Sequence, residues 1–482
     1  MQSIWNGVKE SDHRLSLDKD IKRDIVIVGG GISGLLMGYR LMQSGREATL
    51  IEANTLYSGV THNTTAHLDA MQGYVYSDLI KTSPQKAKLY FQSQLDAIEE
   101  YQKIIDTYKI DCDFKRLDSF MFTINDMKKL EEEYNALKEI GADVELVKEK
   151  MLNIDIQGAI KLKNQAQFHP IKFLEKLPKE YEIIENTRVL KVDTKNKILY
   201  TQKAEIHANI IIIATGFPII DIPGFYFLKM YKSSSYSIAF KGAKLDAVYQ
   251  SDLENGLTYR GYDDYVIMGG LDHRTGRLNH KDKFNRLREK AELSFGKELE
   301  YTHTWTANDC ITADGVPYAG QYSKSRKDIY VMTGYNKWGM TNSMASSKVI
   351  CDLITQKPNK FIDLFSPQRK KTNPAHCVVN LLSTVKNLVF KPVSFPDRNV
   401  DALKPGEGDI VLYEGRKKAV YRDLDNRLYV VEPLCSHLKC QLKFNSETKT
   451  WDCPCHGSRF DIYGKIVVSP TTKNLKVHNG KE

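Results

Sequence analysis

Apolar residues recur in two rhythms along this chain. Asp24-Ile-Val-Ile-Val28 is a short unbroken apolar run that stops at Gly29-Gly-Gly31-Ile-Ser33-Gly34. Behind it Leu35, Leu36, Tyr39, Leu41 and Met42 form a helical stripe that ends at Gly45. A second run, Ala48-Thr-Leu-Ile51, closes on Glu52. Strand, helix and strand in that order predict a βαβ opening. Residues 83–110 and 125–140 carry helical periodicity, with a strand at Ser119-Phe-Met-Phe-Thr123 between them. Strand-rich sequence resumes over 181–192 and runs to Ile210-Ile-Ile-Ile-Ala-Thr-Gly216. An antiparallel set is expected over 235–270, and a last helix over 339–356.

Residues 365–396 read as a connection, with a short apolar helix expected over 378–390. From 398 the texture changes to short strands and turns such as Pro405-Gly-Glu-Gly408 and Leu424-Asp-Asn426. The expected division is a large domain over 1–368, a linker over 369–397 and a small domain over 398–482. A chain of 482 residues is too long for one ordinary core, which agrees with that division.

Composition changes this picture little. Apolar residues make up 41% and charged residues 27%, as in a folded globular protein. The net charge of +9 comes from Lys and Arg interleaved with Asp and Glu, so an ordinary solvated surface accounts for it. No nucleic-acid module is visible, and no apolar run approaches the ~18–20 residues a membrane span needs. The first residues lack the apolar core of a secretory signal, so a cytoplasmic location is expected.

The cysteines change it more. Of eight, Cys112, Cys310, Cys351 and Cys377 are scattered, whereas Cys435, Cys440, Cys453 and Cys455 are clustered with His437 and His456. Cys435-Ser-His437-Leu-Lys-Cys440 and Cys453-Pro-Cys455-His456-Gly-Ser458 are two tight loops that can present four ligands to a metal centre. Thiolates suit one ferric iron and neutral imidazoles another, and zinc is the alternative on spacing alone. Each loop carries one cysteine more than a four-ligand zinc site uses. Zinc also has no need of the flanking Trp451, Pro454 and Gly457-Ser458-Arg459-Phe460.

Residues 398–476, and above all WDCPCHGSRF, resemble a Rieske [2Fe–2S] domain of the respiratory-complex type. The resemblance implies that Cys435 and Cys453 ligate one iron, His437 and His456 the other, and that Cys440 and Cys455 form a disulfide tying the loops together. Ser458 stands at the family serine that bonds a bridging sulfide. Phe460 replaces a tyrosine found in high-potential members, which implies a lower reduction potential. Ser469-Pro470 replaces a usual Gly-Pro.

Gly29-x-Gly31-x-x-Gly34 between a strand and a helix, with Glu52 ending the next strand, fits a dinucleotide fingerprint. The glycines permit the turn, the approach of a pyrophosphate and close helix packing, and Glu52 can hold ribose hydroxyls. Ile210–Gly216, Thr312-Ala-Asp-Gly-Val-Pro317 and Gly334-Tyr-Asn-Lys-Trp-Gly339-Met-Thr resemble FAD-contacting segments of the D-amino-acid-oxidase and glycine-oxidase superfamily. Ser58-Gly-Val-Thr-His-Asn-Thr-Thr65-Ala66 and Phe168-His-Pro170 resemble the bacterial subgroup that fuses such a flavoprotein to a Rieske domain. Taken singly, His169 also reads as a capped loop histidine and Trp338 as a core aromatic.

The fold class implied is an α/β FAD-binding two-dinucleotide-type domain with an antiparallel-sheet substrate subdomain, plus an all-β Rieske domain. The implied FAD-binding residues are Gly29, Gly31, Ser33, Gly34, Glu52, Thr65, Val189, Gly216, Gly339 and Met340. The implied function is an oxidoreductase passing electrons between flavin and cluster. Its partners would be a small-molecule substrate, amine or amino-acid-like, and a separate electron donor or acceptor. A redox sensor without turnover and a plain flavin oxidase are the alternatives. The stretch Thr306-Ala-Asn-Asp309-Cys-Ile lacks the arginine with which amino-acid oxidases clamp a carboxylate. Arg260 and Arg274 are substitutes from elsewhere, each more simply a surface residue, and His273 and Tyr259 are polar candidates beside them. No residue is assigned as catalytic base.

Overall fold

The computed structural model describes residues 2–5, 16–148, 151–252, 256–277, 282–369, 396 and 398–478. The helix expected over 378–390 lies outside them.

The strands Ile21–Val28, Ala48–Ile51, Glu182–Ile184, Glu205–Gly216 and Arg326–Thr333 pair in parallel within an eight-stranded sheet. A parallel strand covered on both faces must be apolar at successive positions. Ile25, Val26 and Ile27 are accordingly all 0% exposed. Ile25 and Ile27 enter one core, with helix Ile32–Gln43, while Val26 and Val28 enter a second on the other face. The same double burial explains the isoleucine run of strand Glu205–Gly216.

Both helices read from periodicity are present and capped by chain-local chemistry. Pro84–Tyr108 begins with Ser83 accepting from the Lys86 amide at 3.3 Å and Pro84 in the first turn. Met127–Glu139 is capped by Asp126, which accepts from the Lys129 amide at 3.1 Å.

A nine-stranded sheet stands beside the first, antiparallel apart from the pairing of Val248–Ser251 with Lys115–Thr123. Its long strands Met230–Lys241 and Glu300–Thr312 form a wall of the central cavity. Residues from 408 onward form two four-stranded antiparallel sheets, and the second, Lys443–Asn445 to Ile466–Val468, holds the Cys453–Ser458 loop between two of its strands. Among the described residues, no helix is long and apolar enough to cross a membrane.

Candidate dinucleotide and cluster site

A single cavity of about 1820 Å³ runs from the turn after the first strand to the loops of the small domain. At its near end, glycine is required by contact. A Cβ on Gly29 would lie 2.7 Å from the Ala214 carbonyl oxygen, and Gly29 has φ +115°. A Cβ on Gly34 would collide with the Gly29 carbonyl oxygen. Gly31 offers helix Ile32–Gln43 no cap of its own, Thr61 Oγ1 accepts from the Ile32 amide at 3.0 Å, and the helix's positive end at the cavity is a place for an anion. Glu52 accepts from the Gly30 amide at 2.7 Å and the Asn54 amide at 2.8 Å, and burial raises its pKa.

Gly29, Gly31, Ser33, Glu52, Thr65, Val189, Gly216, Gly339 and Met340 all line this cavity. Gly34 does not; it packs beneath the turn, against Gly29. Farther along, Asn336 accepts from the Thr312 amide at 2.8 Å and donates to the Gly315 carbonyl at 2.8 Å. That ties the Thr312–Pro317 turn to the segment entering helix Gly339–Ile354, whose start lacks a side-chain cap. The cradle therefore fits a dinucleotide: backbone approach where the glycines are, a carboxylate for ribose, and a second helix start deeper in.

The substrate-side candidates separate. Arg274 and His273 line the cavity, as do Tyr231, Arg277, Asp272 and Lys337. The Arg274 guanidinium lies 4.8 Å from the Tyr231 ring, and burial lowers its pKa to about 10, so it stays charged. Lys337 and Asp272 form an ion pair there. Arg260 is not a surface residue either: it is 0% exposed and donates to the carbonyls of Thr65, Ala66 and Phe168 at 2.9, 2.7 and 3.3 Å. It holds the backbone of the Thr65 loop from behind and does not line the cavity. Tyr259 is buried among the strands of the second sheet. His169 caps helix Pro170–Lys176, accepting from the Lys172 amide at 3.2 Å, as the simpler reading had it. Trp338 lines the cavity.

In the small domain Cys440 and Cys455 are joined by a disulfide, while Cys435 and Cys453 are free and buried. The sulfurs of Cys440, Cys453 and Cys455 lie within 4.8 Å of one another, but the disulfide removes two of them as ligands. What remains is a set of two thiols and two imidazoles. A hydrogen bond between the thiols draws the Cys435 pKa down to about 7 and drives that of Cys453 up. The rings of His437 and His456 lie 5.2 Å apart, at 84° to each other.

His456 is 0% exposed, and among the described residues neither of its ring nitrogens has a hydrogen-bond partner, nor has His437 Nδ1. Each such buried atom costs ~1–3 kcal/mol, so a native fold that keeps them has something else to bind. Burial holds His456 at a pKa of about 3, hence in the neutral form that ligates metal. The donors thus fit a cluster with two thiolate and two imidazole ligands. By number and type alone they would equally suit tetrahedral zinc.

Two features at this end carry no motif in the sequence, and a third joins two residues of the WDCPCHGSRF stretch. Asp221 of the large domain lies 2.8 Å from His437 Nε2. Lys232, 3% exposed, donates to the Ser469 carbonyl, and burial lowers its pKa to about 8. Arg459 forms a buried ion pair with Asp452 at 2.9 Å. Only charge at an otherwise apolar strand position could have marked Lys232, and nothing in its local sequence marks Asp221.

Comparison with known proteins decides between the two metals. A family model described as FAD dependent oxidoreductase matches residues 24–353, and one described as Rieske [2Fe-2S] domain matches residues 394–479. The chain is 32% identical to YhfW of Bacillus subtilis (strain 168), named a Rieske 2Fe-2S iron-sulfur protein, over 98% of this chain and 97% of that one. It is 24% identical to a D-amino acid dehydrogenase of Helicobacter pylori (strain ATCC 700392 / 26695), over 70% of this chain and 97% of the relative. Among solved structures, glycine oxidase from Geobacillus kaustophilus superimposes with a TM-score of 0.63 at 18% identity, covering 73% of this chain and 99% of that one.

Proposed function

This chain belongs to the FAD dependent oxidoreductase family and carries a Rieske [2Fe–2S] domain after it, and from that premise we propose that it passes electrons between a flavin reduced by an amino-acid-like donor and its own cluster. The observation that carries this reading is the single cavity. Gly29, Gly31 and Glu52 line it, and so do Ser469, Thr471 and Thr472 of the small domain. When bound, FAD supplies two-electron hydride chemistry and the cluster takes electrons singly.

The residues divide the work as follows. Gly29, Gly31 and the start of helix Ile32–Gln43 receive the pyrophosphate, and Glu52 the ribose. Gly339 and Met340, at the start of helix Gly339–Ile354, place a positive helix end on the ring side of the cavity, where it favours negative charge on the reduced flavin. Cys435 and Cys453 hold one iron, His437 and His456 the other. Arg274 and Arg277 make the wall beside Tyr231 cationic, which suits a donor bearing a carboxylate. The names of the D-amino acid dehydrogenase and glycine oxidase relatives support that class of donor. The large domain is taken as ending near 368 and the small one as starting near 398.

Anaerobic mixing with a panel of D- and L-amino acids and simple amines tests the reading. A true donor bleaches the flavin, and the reduced-cluster EPR signal follows in the same protein. In a Cys453→Ser variant the flavin bleaches and no cluster signal appears. A donor that reduces the wild-type flavin while the cluster stays oxidised would sink the proposed relay.

A further inference from the structure

The histidine edge of a cluster with two imidazole ligands is its natural electron outlet, because the outer ring nitrogens reach away from the iron. Here that edge faces the chain's own large domain. His437 has 11% of its side chain exposed, and its Nε2 meets Asp221 at 2.8 Å. His456 is fully buried, with the rings of Phe217 and Phe227 at 6.2 and 5.6 Å. All three contacting residues belong to the large domain.

The loops around the cluster are fitted to that surface. A Cβ on Gly457 would lie 2.5 Å from the Lys232 side chain, and one on Gly276 would lie 2.6 Å from the Pro454 amide nitrogen. Both glycines sit at φ near +70°, so close approach and backbone shape coincide in them. Ser469 and Thr472 donate to the carbonyls of Thr215 and Leu190 at 3.4 and 3.0 Å, which brings the segment Ser469–Thr472 against the dinucleotide lobe. Domain contacts within a chain are commonly loose. These are specific, and they converge on one face of the small domain.

We propose that Asp221 is a positioning residue that latches His437 through Nε2, so that the cluster's histidine edge is docked permanently on the flavin domain and closed to outside partners. The inference rests on the proposed relay and adds a route to it. Electrons cross between flavin and cluster inside the chain, and an external carrier must engage some other face. A carboxylate bonded to the outer nitrogen makes the imidazole a stronger donor and puts negative charge beside the cluster. Both effects favour the oxidised state, so Asp221 also lowers the reduction potential.

The test is diethylpyrocarbonate labelling of the purified full-length protein, read residue by residue by mass spectrometry, with iron and acid-labile sulfide assayed on the same sample. His207, whose side chain is 39% exposed and whose Nε2 has only a long 3.4 Å contact to Glu205, serves as the internal reference. His437 is expected to label about tenfold more slowly than His207, the ratio that one charge-assisted hydrogen bond sustains. Asp221→Ala should remove that difference. Asp221→Asn keeps an acceptor without the charge, so it should retain most of the protection while raising the midpoint potential in an EPR-monitored titration. His437 labelling as fast as His207 in cluster-containing wild-type protein overturns the docking and leaves the relay standing. Protected His437 in protein without iron and sulfide supports the docking and overturns the cluster reading. A potential unchanged in Asp221→Asn removes the positioning role.

Discussion

Replacing Arg459 by Met should cost the small domain about 3–5 kcal/mol, the usual effect of removing one partner of a buried ion pair. The structure supports the upper part of that range. Arg459 and Asp452 side chains are 3% and 2% exposed, and the guanidinium donates to Asp452 at 2.9 Å, Thr448 at 2.6 Å and Thr450 at 2.9 Å. Methionine fills the volume but leaves the Asp452 carboxylate with only Thr450 at 2.7 Å and Asn445 at 3.2 Å. The two residues flank the Cys453–Ser458 loop on paired strands, so their separation frees the loop that carries two proposed ligands.

A domain has a total stability of only ~5–15 kcal/mol, so the cluster should be lost far earlier in denaturant. With a urea m-value of ~1–3 kcal/mol/M, the midpoint of the cluster's visible circular dichroism should fall by roughly 1–5 M. Adding Asp452→Asn to Arg459→Met removes the stranded charge and should recover part of the loss. A single variant that shifts the midpoint by less than the equivalent of ~1 kcal/mol would refute the reasoning, as would a double variant as unstable as the sum of the singles.

Gly34→Ala places a methyl group against the Gly29 carbonyl oxygen, so the variant should be purified without FAD while its small domain keeps its visible cluster spectrum. Arg274→Gln should raise the KM for a carboxylate-bearing donor at least ~10-fold with a smaller change in kcat, as loss of uniform binding does; a pure kcat effect would contradict the assignment. Burial raises the Asp69 pKa to about 7, so between about pH 4 and 7 the folded state holds a proton the unfolded state has released. The stability contributed is therefore present below the unfolded value and lost as pH rises toward 7. Asp69→Asn should flatten the decline in urea midpoint between pH 5 and pH 8, and an unchanged slope would show that Asp69 is not the group responsible.

Short-range chemistry was legible in the sequence. The strand, glycine turn and helix at the start, the periodicity of helices Pro84–Tyr108 and Met127–Glu139, and the Cys and His loops each depend on residues a few positions apart. Their physics is local: backbone approach at glycine, one apolar face recurring with each helical turn, two candidate ligands on one tight turn. The resemblance extended that reading to Thr65, Val189 and Gly339, all of which line the cavity. Single arginines could not be placed this way. Arg260 and Arg274 look alike in sequence, and only the packing of the second sheet puts one behind the Thr65 loop and the other in the cavity wall.

Tertiary structure alone decided what faces the cluster. Asp221 and His437 are 216 positions apart, and Lys232 and Ser469 are 237 apart. Such pairs leave no periodicity and no spacing, because they arise where two separately folded surfaces meet. The proposed ligand set could be read from the sequence because each pair of candidate ligands lies within one short loop. The surface on which its histidines rest depends on the shape of a different domain.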